Sequence, residues 1–156
     1  MAQADGYKYK GEDTIYLVDL GDGLIRPFDQ TDGSTSFDIE ELEVSTKDRS
    51  GSDYGDVTET RSFEGELVKG DPFIPAIKSA IRNKQFIEIY EVNLVTDEAE
   101  KGVHMVTDFE LSYPNGDFAT YSLDAALFGE VETIELTEIP DGAPELELGG
   151  DDGVEG

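Results

Sequence analysis

From Val103 to Leu127 apolar and polar residues alternate with hardly a break. Val103, Met105, Phe109, Leu111 and Tyr113 interleave with His104, Asp108, Glu110 and Ser112; further on, Ala119, Tyr121, Leu123, Ala125 and Leu127 interleave with Thr120, Ser122 and Asp124. A period of two marks a strand with one buried and one wetted face. The intervening Pro114-Asn115-Gly116-Asp117 has turn chemistry, because proline presets φ while Asn and Gly accept positive φ. The segment therefore predicts an amphipathic hairpin, with His104 on its exposed polar side as a structural residue. A sheet face this long needs a cover.

The cover is predicted just upstream, as a helix over about 72–84. Asp71 can cap it, Pro72 can take the first position where a missing N–H costs nothing, and Ile74, Ile77 and Ile81 recur on one stripe. Lys78, Arg82 and Lys84 then lie toward its negative pole. Phe86 to Val95 follows as a strand apolar on both faces, the pattern of a strand covered on two sides.

The rest of the chain reads as β. Thr14 to Leu20 and Leu24 to Phe28 form an opening hairpin across Gly21-Asp22-Gly23, and 36–45 pairs with 57–68 in a second one. In the first arm of the latter, Phe37 and Ile39 share one phase and Leu42 and Val44 the other, which predicts a bulge near Glu40-Glu41. Residues 46–56 lose all apolar periodicity and predict a long inter-strand loop. Val131 to Ile139 reads as the last strand. A β-domain over 1–139 is thus followed by an acidic, flexible tail over 140–156, which contains no basic residue.

Several of these segments, taken in order, resemble the major tail proteins of long-tailed phages: Lys10 to Val18 (KGEDTIYLV), Gly70 to Gln85 (GDPFIPAIKSAIRNKQ), FIEIYEV, and Met105 to Glu130 (MVTDFELSYPNGDFATYSLDAALFGE). Together they span well over half the chain, although none is a chemical signature and the acidic extension after Pro140 departs from the pattern. The resemblance implies a mainly β, antiparallel sandwich or barrel-like subunit with one flanking helix, self-assembled into stacked sixfold rings that form a tail tube. It also implies, as partners, further copies of the chain, a tape-measure protein, tail terminator and distal tail proteins, with DNA as a passing cargo. Its place would be the virion tail, after assembly in the host cytoplasm.

Composition sharpens this picture. A formal net charge of −26, from 37 acids against 11 bases, argues against a protein that grips DNA, because phosphate-backbone affinity comes from Lys and Arg. A conduit is another matter: a bore lined with carboxylates repels a passing polyanion. Two sets are candidates for such a lining, Glu59, Glu64 and Glu66 or Asp108, Glu110 and Asp124. The 46–56 loop, with Lys47, Asp48, Arg49, Asp53, Tyr54 and Asp56, is the candidate contact between successive rings, with Lys47 and Arg49 as anchors.

Chemistry is sparse. With no cysteine and one histidine, neither a Cys-His pair nor a cysteine or multi-histidine zinc site can form within one subunit, and no cofactor or metal is expected. No stretch approaches the run of about 20 apolar residues that spans a bilayer, so a soluble protein with no membrane partner is expected. Two other classes remain open on sequence: an acidic β-sandwich binding module for carbohydrate or calcium, and a DNA-mimic inhibitor. An enzyme is not expected.

Overall fold

A computed structural model describes residues 4–144. Seven strands and one helix follow a short turn of 3₁₀-helix: β1 (Thr14–Asp19), β2 (Leu24–Ile25), β3 (Gln30–Ser45), β4 (Ser50–Glu66), α1 (Phe73–Arg82), β5 (Ile87–Asn93), β6 (Glu98–Ser112) and β7 (Thr120–Glu135). They form one antiparallel sheet in the order β2-β1-β5-β6-β7-β4-β3. The sheet curls until β1 meets β3 again, giving the barrel-like form expected. At that meeting the Gln30 side-chain amide acts as a surrogate strand: its Oε1 accepts from Tyr16 N at 2.9 Å and its Nε2 donates to Tyr16 O at 2.8 Å. Gly33 is required there, since a Cβ would lie 2.4 Å from the Tyr16 ring.

α1 fills the concave side. Asp71 Oδ1 accepts from Phe73 N at 2.9 Å, so the predicted cap is in place, and Oδ2 holds Phe28 N at 3.1 Å. The buried stripe is Phe73, Ile77 and Ala80, flanked by the half-buried Ile74 and Ile81. These pack on Tyr16, Val18, Phe63, Ile87, Ile89, Tyr121, Leu123 and Ala125. Each large side chain so buried contributes about 1.5–3 kcal/mol. A second cluster, Ile15, Leu17, Tyr90, Val92 and Ala99, lies on the opposite face of the sheet, covered in part by Leu94, Leu136 and Ile139. β5 is therefore covered on both faces.

Four expectations need correction. Residues 50–56 are strand: β4 pairs with β3 down to Ser45↔Ser50, and only Thr46 to Arg49 form the tip, where Thr46 Oγ1 accepts from Asp48 N and Arg49 N. Polar residues sustain this ladder because both of its faces meet water. The bulge falls at Glu40, but the extra residue is on the opposing strand, where Gly55 and Asp56 lie between Tyr54 and Val57. The last strand is the distal half of β7, which runs unbroken to Glu135 rather than starting at Val131 and reaching Ile139. His104 is fully buried. A one-residue bulge at Thr107, between the pairs Val106↔Ala125 and Asp108↔Asp124, switches which side chains of β6 point inward. Gly102, His104 and Val106 face the interior before it, Phe109 and Leu111 after it, and Met105 is left exposed. Of the predicted C-terminal tail, residues 145–156 lie outside the described residues.

Candidate functional site

The two faces of the sheet handle charge in opposite ways. On the concave side Arg61, 1 % exposed, gathers three carboxylates: Glu59 at 2.7 Å, Glu91 at 3.0 Å and Glu100 at 3.2 Å. Its remaining Nη1 donates to His104 Nε2 at 3.2 Å, while His104 Nδ1 donates to Gly102 O at 2.8 Å. That tautomer is neutral, and burial, helped by the adjacent guanidinium, pushes the imidazole down to about 4. The cluster ties β4, β5 and β6 together, and Thr35 Oγ1 extends it to β3 through Glu91. Glu59, expected as a lumen carboxylate, belongs to this interior cluster.

The opposite face is free of cations where β3, β4, β7 and β6 lie side by side. The ladder registers place Asp32, Glu64, Ser122 and Glu110 in one row, and Ser34, Ser62, Asp124 and Asp108 in the next. Ser36, Thr60, Ala126 and Met105 make a third. Asp32, Ser34, Ser62, Glu64, Ser122 and Asp124 line one shallow surface groove. Apart from Glu59, the members of the two candidate carboxylate sets, which sequence left as alternatives, thus share a single face, with Glu66 in the same phase at the end of β4. Asp32 stands directly opposite Glu64, and Asp108 directly opposite Asp124. Like charges so placed destabilise a sheet, so folding alone does not account for them.

This four-stranded face has two open margins. β5 stops at Ile87↔His104, leaving residues 105–112 of β6 without a partner on that side, and the outer edge of β3 pairs with no strand among the described residues. Beyond Thr60, the last residue of β4 that pairs with β7, β3 and β4 continue as a two-stranded ribbon of about 30 Å. Lys47, Asp48 and Arg49 are at or beside its tip, while Asp53, Tyr54 and Asp56 lie along its shaft. Phe37, Ile39, Leu42, Tyr54 and Val57 on this ribbon are all at least half exposed. Sequence reasoning missed Arg61, although its odd-numbered phase on β4, shared with Val57 and Phe63, was a signal that it points inward.

A curled antiparallel sheet with open margins, an exposed apolar ribbon and a cation-free face is what the described residues present to a partner. Residues 8–133 match the family model for the phage tail tube protein, and the chain belongs to that family. It is a structural component of the virion's tail tube. The fold is similar to that of a gene transfer agent tail solved with C6 symmetry, at 15 % identity and TM-score 0.69, covering 80 % of this chain and 98 % of that one. It is similar also to the SPP1 tail tube, at 18 % identity and TM-score 0.69, covering 92 % and 93 %. An anti-feeding prophage tube-terminating cap matches at 14 % identity and TM-score 0.56, over 87 % and 97 %. No curated protein sequence matches the chain.

Proposed function

We propose that this subunit forms sixfold rings whose bore is the cation-free face, stacked into a tube through which DNA passes without binding. The observation that supports this reading is the four-stranded acidic face bounded by two open margins. Because β3, β4, β7 and β6 alternate in direction, the β3 edge of one copy runs antiparallel to the β6 edge of the next when copies are related by rotation. The ladder can then continue from copy to copy and close. Carboxylates at Asp32, Glu64, Asp108, Glu110 and Asp124 would repel the passing phosphates. The chain carries out no catalysis in this role. Its partners are itself, a tape-measure protein held in the bore, and tail terminator and distal tail proteins at the tube ends, with assembly in the host cytoplasm.

The ribbon bridges successive rings, with Lys47 and Arg49 reaching the acidic surface of the next ring and Tyr54 packing against it. Replacing residues 42–53 by Asn-Gly, which closes a two-residue hairpin on the Glu41↔Tyr54 pair, should leave the monomer Tm nearly unchanged and abolish stacking. Normal-length tubes in negative stain would refute the bridge. For the bore, Glu64, Asp108, Glu110 and Asp124 replaced together by lysine should still give tubes, but DNA ejection should slow. Unaltered ejection through such tubes would show that the bore charge plays no part in passage.

A further inference from the structure

Beside the open margin of β6, α1 and the sheet leave a cleft of about 400 Å³ lined by Lys78, Ile81 and Arg82 of the helix and by Val106, Thr107, Asp108 and Phe109 of β6. Ile81, Val106 and Phe109 make it apolar, and its helix side carries two cations, Lys78 and Arg82, against one carboxylate, Asp108, whose β6 phase belongs to the acidic face. Neither Lys78 nor Arg82 has an ion-pair partner among the described residues, in a chain where acids outnumber bases 37 to 11. The complementary surface is on the same chain but at the other margin of the sheet. Phe37 pairs with Glu59, whose carboxylate reaches the interior Arg61, so Phe37 and, two residues on, Ile39 present to the concave side rather than to the acidic face. They are 59 % and 52 % exposed there, with Val57 opposite Ile39. Continuing the same phase of β3 come Glu41 and Glu43.

We propose that Phe37 and Ile39 of one copy seat in the α1–β6 cleft of the neighbouring copy in the same ring, with Glu41 and Glu43 set against Lys78 and Arg82. This rests on the ring reading above and adds to it the contact that fixes each subunit against the next. When the β3 edge of one copy lies along β6 of another, the concave side of that β3 faces the side on which α1 lies. An apolar ridge with one acidic end then meets an apolar floor with a cationic helix side, and surfaces too exposed for a lone subunit become buried.

The test is a charge exchange. One variant carries Lys78→Glu and Arg82→Glu, the other Glu41→Lys and Glu43→Lys. Each alone should lose about tenfold or more of the sedimentable tube that the unchanged chain forms, with the monomer Tm held. An equimolar mixture, in which the two alternate around an even-numbered ring, should recover assembly, as should a chain carrying all four changes. Tubes from either single variant at normal yield, or no recovery in both the mixture and the fourfold variant, would overturn the seat. The ring reading itself fails separately, if the unchanged chain gives no rings or tubes in negative stain.

Discussion

The carboxylates of this subunit fall into two populations that differ in almost everything except chemistry. Glu59, Glu91 and Glu100 converge on one buried guanidinium, whereas Asp32, Glu64, Asp108, Glu110 and Asp124 crowd one another on a face without a cation. The first group does its work within the folded chain. The second opposes folding slightly, and its use is the bore lining proposed above. Position on the pleat, not residue type, decides which role a carboxylate takes.

Arg61→Met separates the populations most sharply. Removing the guanidinium leaves three carboxylates facing one another with no counter-charge, and a loss of about 3–5 kcal/mol is expected in urea unfolding of the monomer. An unchanged midpoint would mean the cluster is no more structural than the outer acids.

A smaller effect of the same origin should appear with pH. The His104 pKa in the folded chain, about 4, lies below its ordinary 6.5, so its contribution is complete above pH 6.5 and is lost as pH falls toward 4. The full loss is roughly 3 kcal/mol. His104→Gln keeps an acceptor for Arg61 and cannot titrate there, so unfolding measured from pH 7 to 4.5 should fall less steeply in that variant than in the parent.

Asp71 probes the interior away from the cluster. Burial raises its carboxyl above the usual range, opposed by the hydrogen bonds from Phe73 and Phe28. Asn in its place retains one good acceptor for two amides, and Asp71→Asn should lower stability at pH 7 by about 1–2 kcal/mol. Its sign is opposite to that of His104: a raised carboxyl is relieved by acid, so the deficit of Asp71→Asn should grow as pH falls toward the folded pKa.

The outer face should respond least. Glu64→Gln, Asp108→Asn, Glu110→Gln and Asp124→Asn combined should shift monomer stability by no more than about 0.5 kcal/mol, and upward if at all. A large loss would show that these acids too belong to the fold.

Much of this was legible in advance because alternation survives wherever a strand is regular. The second arm of the long hairpin, the Pro114–Asp117 turn and the Asp71 cap could all be read directly. What could not be read was phase across a bulge. Val103 and Met105 share odd numbering with Phe109 and Leu111, so the strand looked like one continuous face, yet the extra residue at Thr107 turns the first pair outward and buries His104. The outer face was hidden for another reason: Glu64 and Glu110 are 46 residues apart in sequence and share a row only because both flank Ser122 of β7. The ribbon escaped notice because a ladder wetted on both sides has no hydrophobic period to display.

Gln30 carries a consequence for how the assembly can be controlled. By binding the main chain of β1 with a side chain, it brings the curled sheet together while leaving the outer main-chain groups of β3 unspent. In the language of polymer chemistry, the ring proposed above would make the folded subunit a bifunctional monomer with one complementary reactive group at each end. Such a monomer can condense into a ring of fixed size, in which every group is consumed, or remain an open oligomer with two reactive ends. Closure, rather than the strength of any one junction, would then make the proposed ring the stable product.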